Sequence, residues 1–382
     1  MVAIDSYAGG DGRLSPLSTP SATRAVLEAH GIGTKYTLGQ NFLVNDDVLK
    51  KIIALAEVGE DDRILEVGPG IGTLTIALLK HAAGVVAIER DPDLPAVLAD
   101  TLHPWREKFA LIEKDALDVT RDDIVSVAST MVEPGGDAGC LDRASSVANE
   151  TAQWAVSQSE DCLSESGYPV APPQEDLQLS LPSKLVANLP YAVAATVVLD
   201  YFESFPFLDS ATIMVQKEVA DRMAAAVGTK NYGAYTVKLG LYAEPAGRFA
   251  VGPGNFFPPP RVDSAVIRLN RRVPLMADGA PASPEVIAVA ALMADAAFTN
   301  RRKTIANSCK TYFSGRGPIS LGAGPSAQEG APGIVLPDGA AIAERLAAIF
   351  DAATIDPRRR GETLTQQEFL ALGAALLKVT AA

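Results

Sequence analysis

Between residues 62 and 225, short apolar runs alternate with segments of helical spacing. The runs at 63–67, 85–88, 109–113 and 184–187 predict strands. Segment 47–58 sets Val48, Ile52, Leu55 and Ala56 near one face of an amphipathic helix, and 73–80 is helix-like. Such alternation predicts a parallel α/β sheet. Two further strands are expected near 236–243 and 264–269. After Arg272 the pattern turns helical. Ser283-Pro284-Glu285 supplies an N-cap, a first-turn proline and a first-turn acid, and Thr365 with Glu368 makes a capping box for a last helix. The expected organisation is a tail over 1–21, an α/β domain over 22–272 and a helical domain over 273–382. Residues 315–337, rich in Gly, Pro and Ser, predict a long loop. Residues 129–183 interrupt the α/β domain between its third and fourth strands. They show little periodicity beyond a helical stretch near 143–158, which predicts disorder or a loosely packed excursion rather than a third domain.

Composition adds limits. The chain has 382 residues, room for two domains, and its 48% hydrophobic content with mixed charge is globular. No apolar run approaches the ~18 residues of a membrane span. Residues 1–21 have neither a basic nor an apolar signal-peptide region. Three scattered cysteines, Cys140, Cys162 and Cys309, form no C-x-x-C, and with only three histidines no metal site is expected. This sparse, odd cysteine count suits a reducing cytoplasm. The net charge of −13 argues at first against an RNA partner, but residues 129–183 carry −8 of it, and from Arg271 onward the balance is +2. Local clusters govern phosphate contact. The obvious ones are Arg301-Arg302-Lys303 and Arg358-Arg359-Arg360.

The candidate chemistry falls at the ends of the predicted strands. After 63–67 comes Gly68-Pro69-Gly70-Ile71-Gly72, a glycine loop between strand and helix, the setting for a nucleotide-like ligand. Its G-x-G-x-G spacing misses the dinucleotide pattern by one residue, so a nicotinamide-binding domain stands as a rival. Glu89 ends the next strand, where a carboxylate can accept both ribose hydroxyls. Asp115-Ala116 follows 109–113, where a carboxylate can accept an adenine amine. Asn188-Leu189-Pro190-Tyr191 follows 184–187. The Asn188 amide oxygen and the Leu189 carbonyl can accept from an exocyclic amine. Pro190 fixes the turn and Tyr191 offers a stacking face, worth roughly 1–3 kcal/mol against a base. The set suits an adenine withdrawn from its stack.

In these residues the chain resembles the ribosomal RNA adenine N6,N6-dimethyltransferases, of the small-subunit (16S), kasugamycin-resistance type. The matching segments are G-Q-N-F-L (39–43), E-V-G-P-G-I-G-T-L-T (66–75), I-E-R-D (88–91), D-A (115–116), N-L-P-Y (188–191), Q-K-E-V-A-D-R (216–222), Y-G (232–233), F-F-P-P-P-R-V-D-S-A-V-I-R-L (256–269) and F-T-N-R-R-K-T-I-A-N-S (298–308). The resemblance implies a Rossmann-like class I methyltransferase sheet with a smaller C-terminal helical domain. It implies S-adenosylmethionine as cofactor, covered by an arm over 22–46 that brings Asn41 and Leu43 to it. Gly68, Gly70, Gly72, Glu89, Asp115, Ala116 and Asn188 would be further cofactor contacts. Asn188, Leu189, Pro190 and Tyr191 would carry catalysis, with Phe256 as the second ring of a sandwich around the target adenine. Arg301, Arg302 and Lys303 would contact RNA. The implied partner is small-subunit rRNA or the assembling small subunit, met by a monomer without metal. Two other readings are a large-subunit adenine methyltransferase of the macrolide-resistance type and a non-catalytic RNA-binding assembly factor. Elements V-D-S-A-V and F-T-N-R-R-K-T favour the small-subunit enzyme over the first. Intact Glu89, Asp115 and Asn188 argue against the second.

Overall fold

The structure is a computed structural model that describes residues 12–33, 40–131, 181–315, 319–320, 333–334 and 340–381. Its strands are β1 (Phe42–Leu43), β2 (Arg63–Val67), β3 (Gly84–Ile88), β4 (Phe109–Ile112), β5 (Lys184–Asn188), β6 (Ser210–Gln216), β7 (Ala243–Val251), β8 (Phe256–Phe257) and β9 (Ser264–Arg271). Seven of them form one sheet in the order β4-β3-β2-β5-β6-β9-β7. The first five run parallel, and β9 and β7 close the edge antiparallel. β2 and β3 are buried along their whole length, as parallel strands covered by helices on both faces must be. Alternate side chains go to opposite layers: Leu65 and Val67 join one core, Ile64 the other.

The chain leaves β2 toward one side of the sheet and later builds β5 and β6 on the other, so the strand order reverses between β2 and β5. β2 pairs with β3 through all five residues, from Arg63 to Val67. Against β5 it pairs only at Ile64 and Leu65. The carboxyl ends of β2 and β5 therefore part, and the gap between them is the crevice where open α/β sheets take ligands.

Local chemistry explains the helices. Asn45 caps Asp46–Ala56 through the amides of Asp47 and Val48, with Asp46 and Asp47 complementing the first turn. Thr120 and Asp123 form a capping box on Arg121–Ala128. In the C-terminal part, Ser283 caps Pro284–Phe298. Thr365 and Glu368 exchange backbone bonds at the start of Gln366–Ala381, as expected. These helices, with Ile305–Phe313 and Ala340–Ala352, build a third core around Met293, Phe313, Phe350 and Phe369.

Three expectations change. Residues 12–21 are not a tail: Leu17 and Ser15 are fully buried, the Leu14 and Ser15 amides donate to Asp46 Oδ1, and a helix starts at Pro20. The strand expected near 236–243 is a helix, Ala234–Gly240, and its strand lies later, at Ala243–Val251. Val237 and Leu241, four apart, face the third core, so tertiary packing overrides a β-branched stretch. β7 carries little strand signal because it is a largely exposed edge strand with a bulge between Pro245 and Gly247, where proline costs no ladder bond. Within the expected loop 315–337, Ile319–Ser320 pairs with Gly333–Ile334, and the rest lies outside the described residues. Of the interruption 129–183, residues 132–180 also lie outside them, while Met131 and Leu181 at its edges are buried in the core.

Leu17→Ala should lower the unfolding free energy by about 2–5 kcal/mol, the cost of emptying a fully buried leucine site. A urea melt coincident with that of the wild type would return residues 12–19 to the status of a tail.

Candidate active site

The crevice between β2 and β5 opens into a cavity of about 520 Å³. Asn41, Leu43, Gly68, Gly70, Glu89, Asp115, Ala116 and the whole run Asn188–Tyr191 line it. One strand end after another supplies these groups: the glycine loop from β2, Glu89 from β3, Asp115 from β4 and Asn188 from β5.

Two glycines have distinct reasons. At Gly70, with φ +60°, a Cβ would come within 3.1 Å of the Phe42 ring, so the bare backbone lets the 40–43 segment close on the loop. Gly72, φ +89°, starts the helix Thr73–Leu79, and a Cβ there would press on Leu102 and Thr101. It does not line the cavity. Its expected cofactor contact is replaced by a packing role.

Glu89 is nearly buried, and its Oε1 accepts the amides of Arg90 and Asp91, each at 2.9 Å. Burial pushes its carboxyl upward, opposed by the Asp91, Gly70 and Arg90 amides. Asp115 is held below the usual carboxylate range, first by the Leu117 amide on its Oδ1 and also by Arg90 Nη1, 2.8 Å from Oδ2. Each carboxylate oxygen retains a further lone pair for a ligand amine.

Asn188 Nδ2 donates to the Asn41 carbonyl at 3.2 Å. Its Oδ1 is thereby left as the acceptor end, and the segment above the cavity decides that orientation. Gln40 Nε2 ties the same segment to Asp91 Oδ2 at 2.7 Å. Tyr191 is half-buried, and its hydroxyl bonds to Ser264 Oγ on β9.

Phe256 is not brought to the site. It pairs with Leu43 in the short β1–β8 ladder, is 3% exposed and packs in the core with Phe42. The aromatic rings that do line the cavity are Phe42 and Tyr191. Arg301 is also committed elsewhere. Its Nη2 donates to the carbonyls of Thr229 and Tyr232, and its Nε meets Glu362 at 3.2 Å, so it joins the end of the α/β part to the C-terminal helices. Arg302 and Lys303 are exposed. In the second basic cluster, Arg358 pairs with Asp356 and Arg359 with Glu368.

Among the cavity residues without an expected role are Glu66, Thr73 and Gln216. Gln216 ends β6, one strand beyond Asn188, so the strand-end rule that found Glu89 and Asp115 reaches it too. Glu66 is a buried acid whose carboxyl is pushed up to about 8 by burial and by the nearby Glu89 charge, against the Thr75 hydroxyl. Among the described residues, Glu66 Oε2 and Thr73 Oγ1 are buried and have no hydrogen-bond partner. Buried polar atoms without partners are rare, and two on one cavity wall fit a ligand with polar ends. With an acid set for a ribose and another for an amine, this donor and acceptor set fits S-adenosylmethionine.

Fold and site together define a Rossmann-like, S-adenosylmethionine-dependent methyltransferase. The model of the ribosomal RNA adenine dimethylase family matches residues 33–317, and the chain belongs to that family. It is 32% identical over 363 residues to "Ribosomal RNA small subunit methyltransferase A" of Geobacillus sp. (strain WCH70), covering 95% of this chain and 98% of the relative. It is 34% identical to the protein of that name from Streptomyces griseus, over 92% and 93% of the two chains. A crystal structure of a dimethyladenosine transferase from Plasmodium falciparum has the same fold, with a TM-score of 0.56, 19% identity and coverage of 88% and 98%.

The buried acid gives a test of this geometry. Glu66 keeps its proton in the folded chain at pH values where the unfolded chain, near its ordinary 4.5, has lost it. Folding then takes up a proton, so this group's contribution to stability falls as pH rises from about 4.5 to about 8. Glu66→Gln should remove that decline, and denaturant melts at pH 5 and pH 8 should show the variant gaining on the wild type at the higher pH. Parallel pH dependences in the two proteins would mean that Glu66 is not a buried neutral acid.

Proposed function

We propose that this protein makes N6,N6-dimethyladenine at adjacent adenosines in a small-subunit ribosomal RNA hairpin during maturation of the small subunit, acting as a monomer in the cytoplasm. The observation that carries this reading is the placement of Asn188, Leu189 and Tyr191 on the cavity that Glu89 and Asp115 also line. An amine acceptor pair and a stacking ring stand beside the groups that suit an adenosine-bearing cofactor. The names of the two relatives described above, both small-subunit methyltransferases, favour this substrate over a large-subunit one.

Adenine N6 is a weak nucleophile because its lone pair is delocalised into the ring. Asn188 Oδ1 and the Leu189 carbonyl accept its N–H bonds, draw them out of plane and localise that pair. The same two oxygens stabilise the positive charge that grows on nitrogen, as preorganised dipoles do best. Bound S-adenosylmethionine supplies a sulfonium methyl already activated for transfer. Glu89 would hold its ribose, Asp115 with Ala116 its adenine, and Asn41, Leu43, Gly68 and Gly70 its remaining surface. Positioning provides much of the acceleration. No tuned base is required, because the N6 proton becomes acidic once nitrogen is quaternised. Burial pushes the Tyr191 phenol upward, so it stays protonated and serves as a surface rather than a base. A second transfer requires the pocket to admit N6-methyladenine, which has one N–H left.

The RNA would lie along the exposed Arg302 and Lys303, with Arg301 holding the underlying scaffold. Mass spectrometry of ribosomal RNA from cells with and without this gene tests the whole reading: the small-subunit adenines should lose two methyls each, and an unchanged spectrum would refute it.

Asn188→Ala should abolish transfer while leaving S-adenosylmethionine affinity within about tenfold, or 1.4 kcal/mol, by calorimetry. Near-normal turnover would remove Asn188 as the acceptor. Replacing Arg302 and Lys303 by Ala should weaken RNA binding across sequences and reduce the slope of log affinity against log salt by about two. An unchanged slope would make these side chains a solvated face only.

A further inference from the structure

Ser264 has no part in the chemistry described above, yet it is fully buried and bonds to a residue that lines the cavity. It begins β9, where it pairs with Gln216 of β6 on one side and Val251 of β7 on the other. The next residue back is fixed too, since the Asp263 carbonyl accepts the Lys217 amide at 2.9 Å. The Ser264 hydroxyl is thus mounted on one of the most constrained backbones in the molecule. Its hydrogen-bond partner is the Tyr191 hydroxyl.

Tyr191 is mounted differently. It sits in the turn between β5 and the helix Ala194–Ser204, next to Asn188 and Leu189. The turn fixes its Cα, but a tyrosine ring attached only there can swing about χ1 and χ2. A bond at the far end of the ring removes that freedom.

We propose that Ser264 is a positioning residue, which fixes the Tyr191 ring as the platform on which the target adenine stacks and matters most for the second methyl transfer. The inference rests on the proposed role of Tyr191. Unmodified adenine presents two N–H bonds to Asn188 and Leu189, which orient it by themselves. N6-methyladenine presents one, so its orientation depends more on the platform. Loosening the ring should then slow the second transfer more than the first, and monomethylated product should accumulate. A hydroxyl that merely satisfies its neighbour inside the fold would alter stability without altering the ratio of products.

The test compares Ser264→Ala, Tyr191→Phe, the double variant and Tyr191→Ala, using small ribosomal subunits from cells lacking the gene as substrate. Products are resolved by mass spectrometry and cofactor affinity is read by calorimetry. Ser264→Ala and Tyr191→Phe each break the same bond from opposite ends, and Tyr191→Phe keeps the ring. Each should lower kcat by about three- to tenfold, the worth of one hydrogen bond, with cofactor affinity unchanged. Each should raise the fraction of monomethyladenine, and the double variant should be no slower than the singles. Should Ser264→Ala fail to fold, Tyr191→Phe gives the answer alone. Wild-type kcat and product ratio in Tyr191→Phe, or effects that multiply in the double variant, would overturn the inference. Tyr191→Ala separates the two levels of the argument. If it turns over normally, Tyr191 is no platform and the reading of the site fails. If it is inactive while Tyr191→Phe and Ser264→Ala behave as wild type, only the positioning role fails.

Discussion

Everything at the site depends on how briefly β2 and β5 pair. They share the sheet at Ile64 and Leu65 and then separate, while each stays in register with its other neighbour to the end. A longer pairing would seal the crevice with backbone hydrogen bonds. The separation lets the glycine loop turn across the top of β2 and the Asn188–Tyr191 turn cross the top of β5. At their nearest they almost touch, and a Cβ on Gly68 would stand 3.7 Å from the Pro190 ring. Two turns that must both be compact meet over one gap, and the cavity is what remains beneath them.

The segment 40–43 completes that cavity from above. It is held at four points: the β1–β8 ladder, Gln40 on Asp91, the Asn41 carbonyl on the Asn188 amide, and Phe42 against the bare backbone of Gly70. Because one of those points is the amide of Asn188, the cover and the strand-end turn beneath it are joined physically. The backbone that roofs the cavity also fixes which way the Asn188 amide faces. Burial raises both the Glu66 and the Glu89 carboxyls in this lining.

The C-terminal helices are bound to the α/β part by side chains rather than by a shared sheet. Arg301 reaches the carbonyls of Thr229 and Tyr232, the Tyr232 hydroxyl reaches the Leu364 carbonyl at 2.8 Å, and Lys238 meets Asp295 at 3.1 Å. Arginine suits the joint because its planar fork can serve two carbonyls and a carboxylate together. That commitment takes one cation out of a basic run and leaves Arg302 and Lys303 facing solvent.

The sequence by itself determined the parallel α/β plan, the capped helices and the order in which Glu89, Asp115 and Asn188 arrive at strand ends. Such features are local. An apolar run of strand length, a cap three residues ahead of an acid, or a glycine between strand and helix carries its meaning within a few residues. Tertiary structure decided whatever depends on a distant partner. Residues 12–19 are composed like a tail, and they are ordered because Asp46 accepts the Leu14 and Ser15 amides. Residues 234–240 form a helix because Val237 meets a core built after residue 282. Phe256 is buried in the core, in a ladder whose other strand, Phe42–Leu43, lies more than two hundred residues earlier. Ser264 is tied to the site because Tyr191, in another strand's turn, reaches across to it. In each case the deciding contact joins positions far apart in the chain, and no periodicity or spacing near either one encodes it.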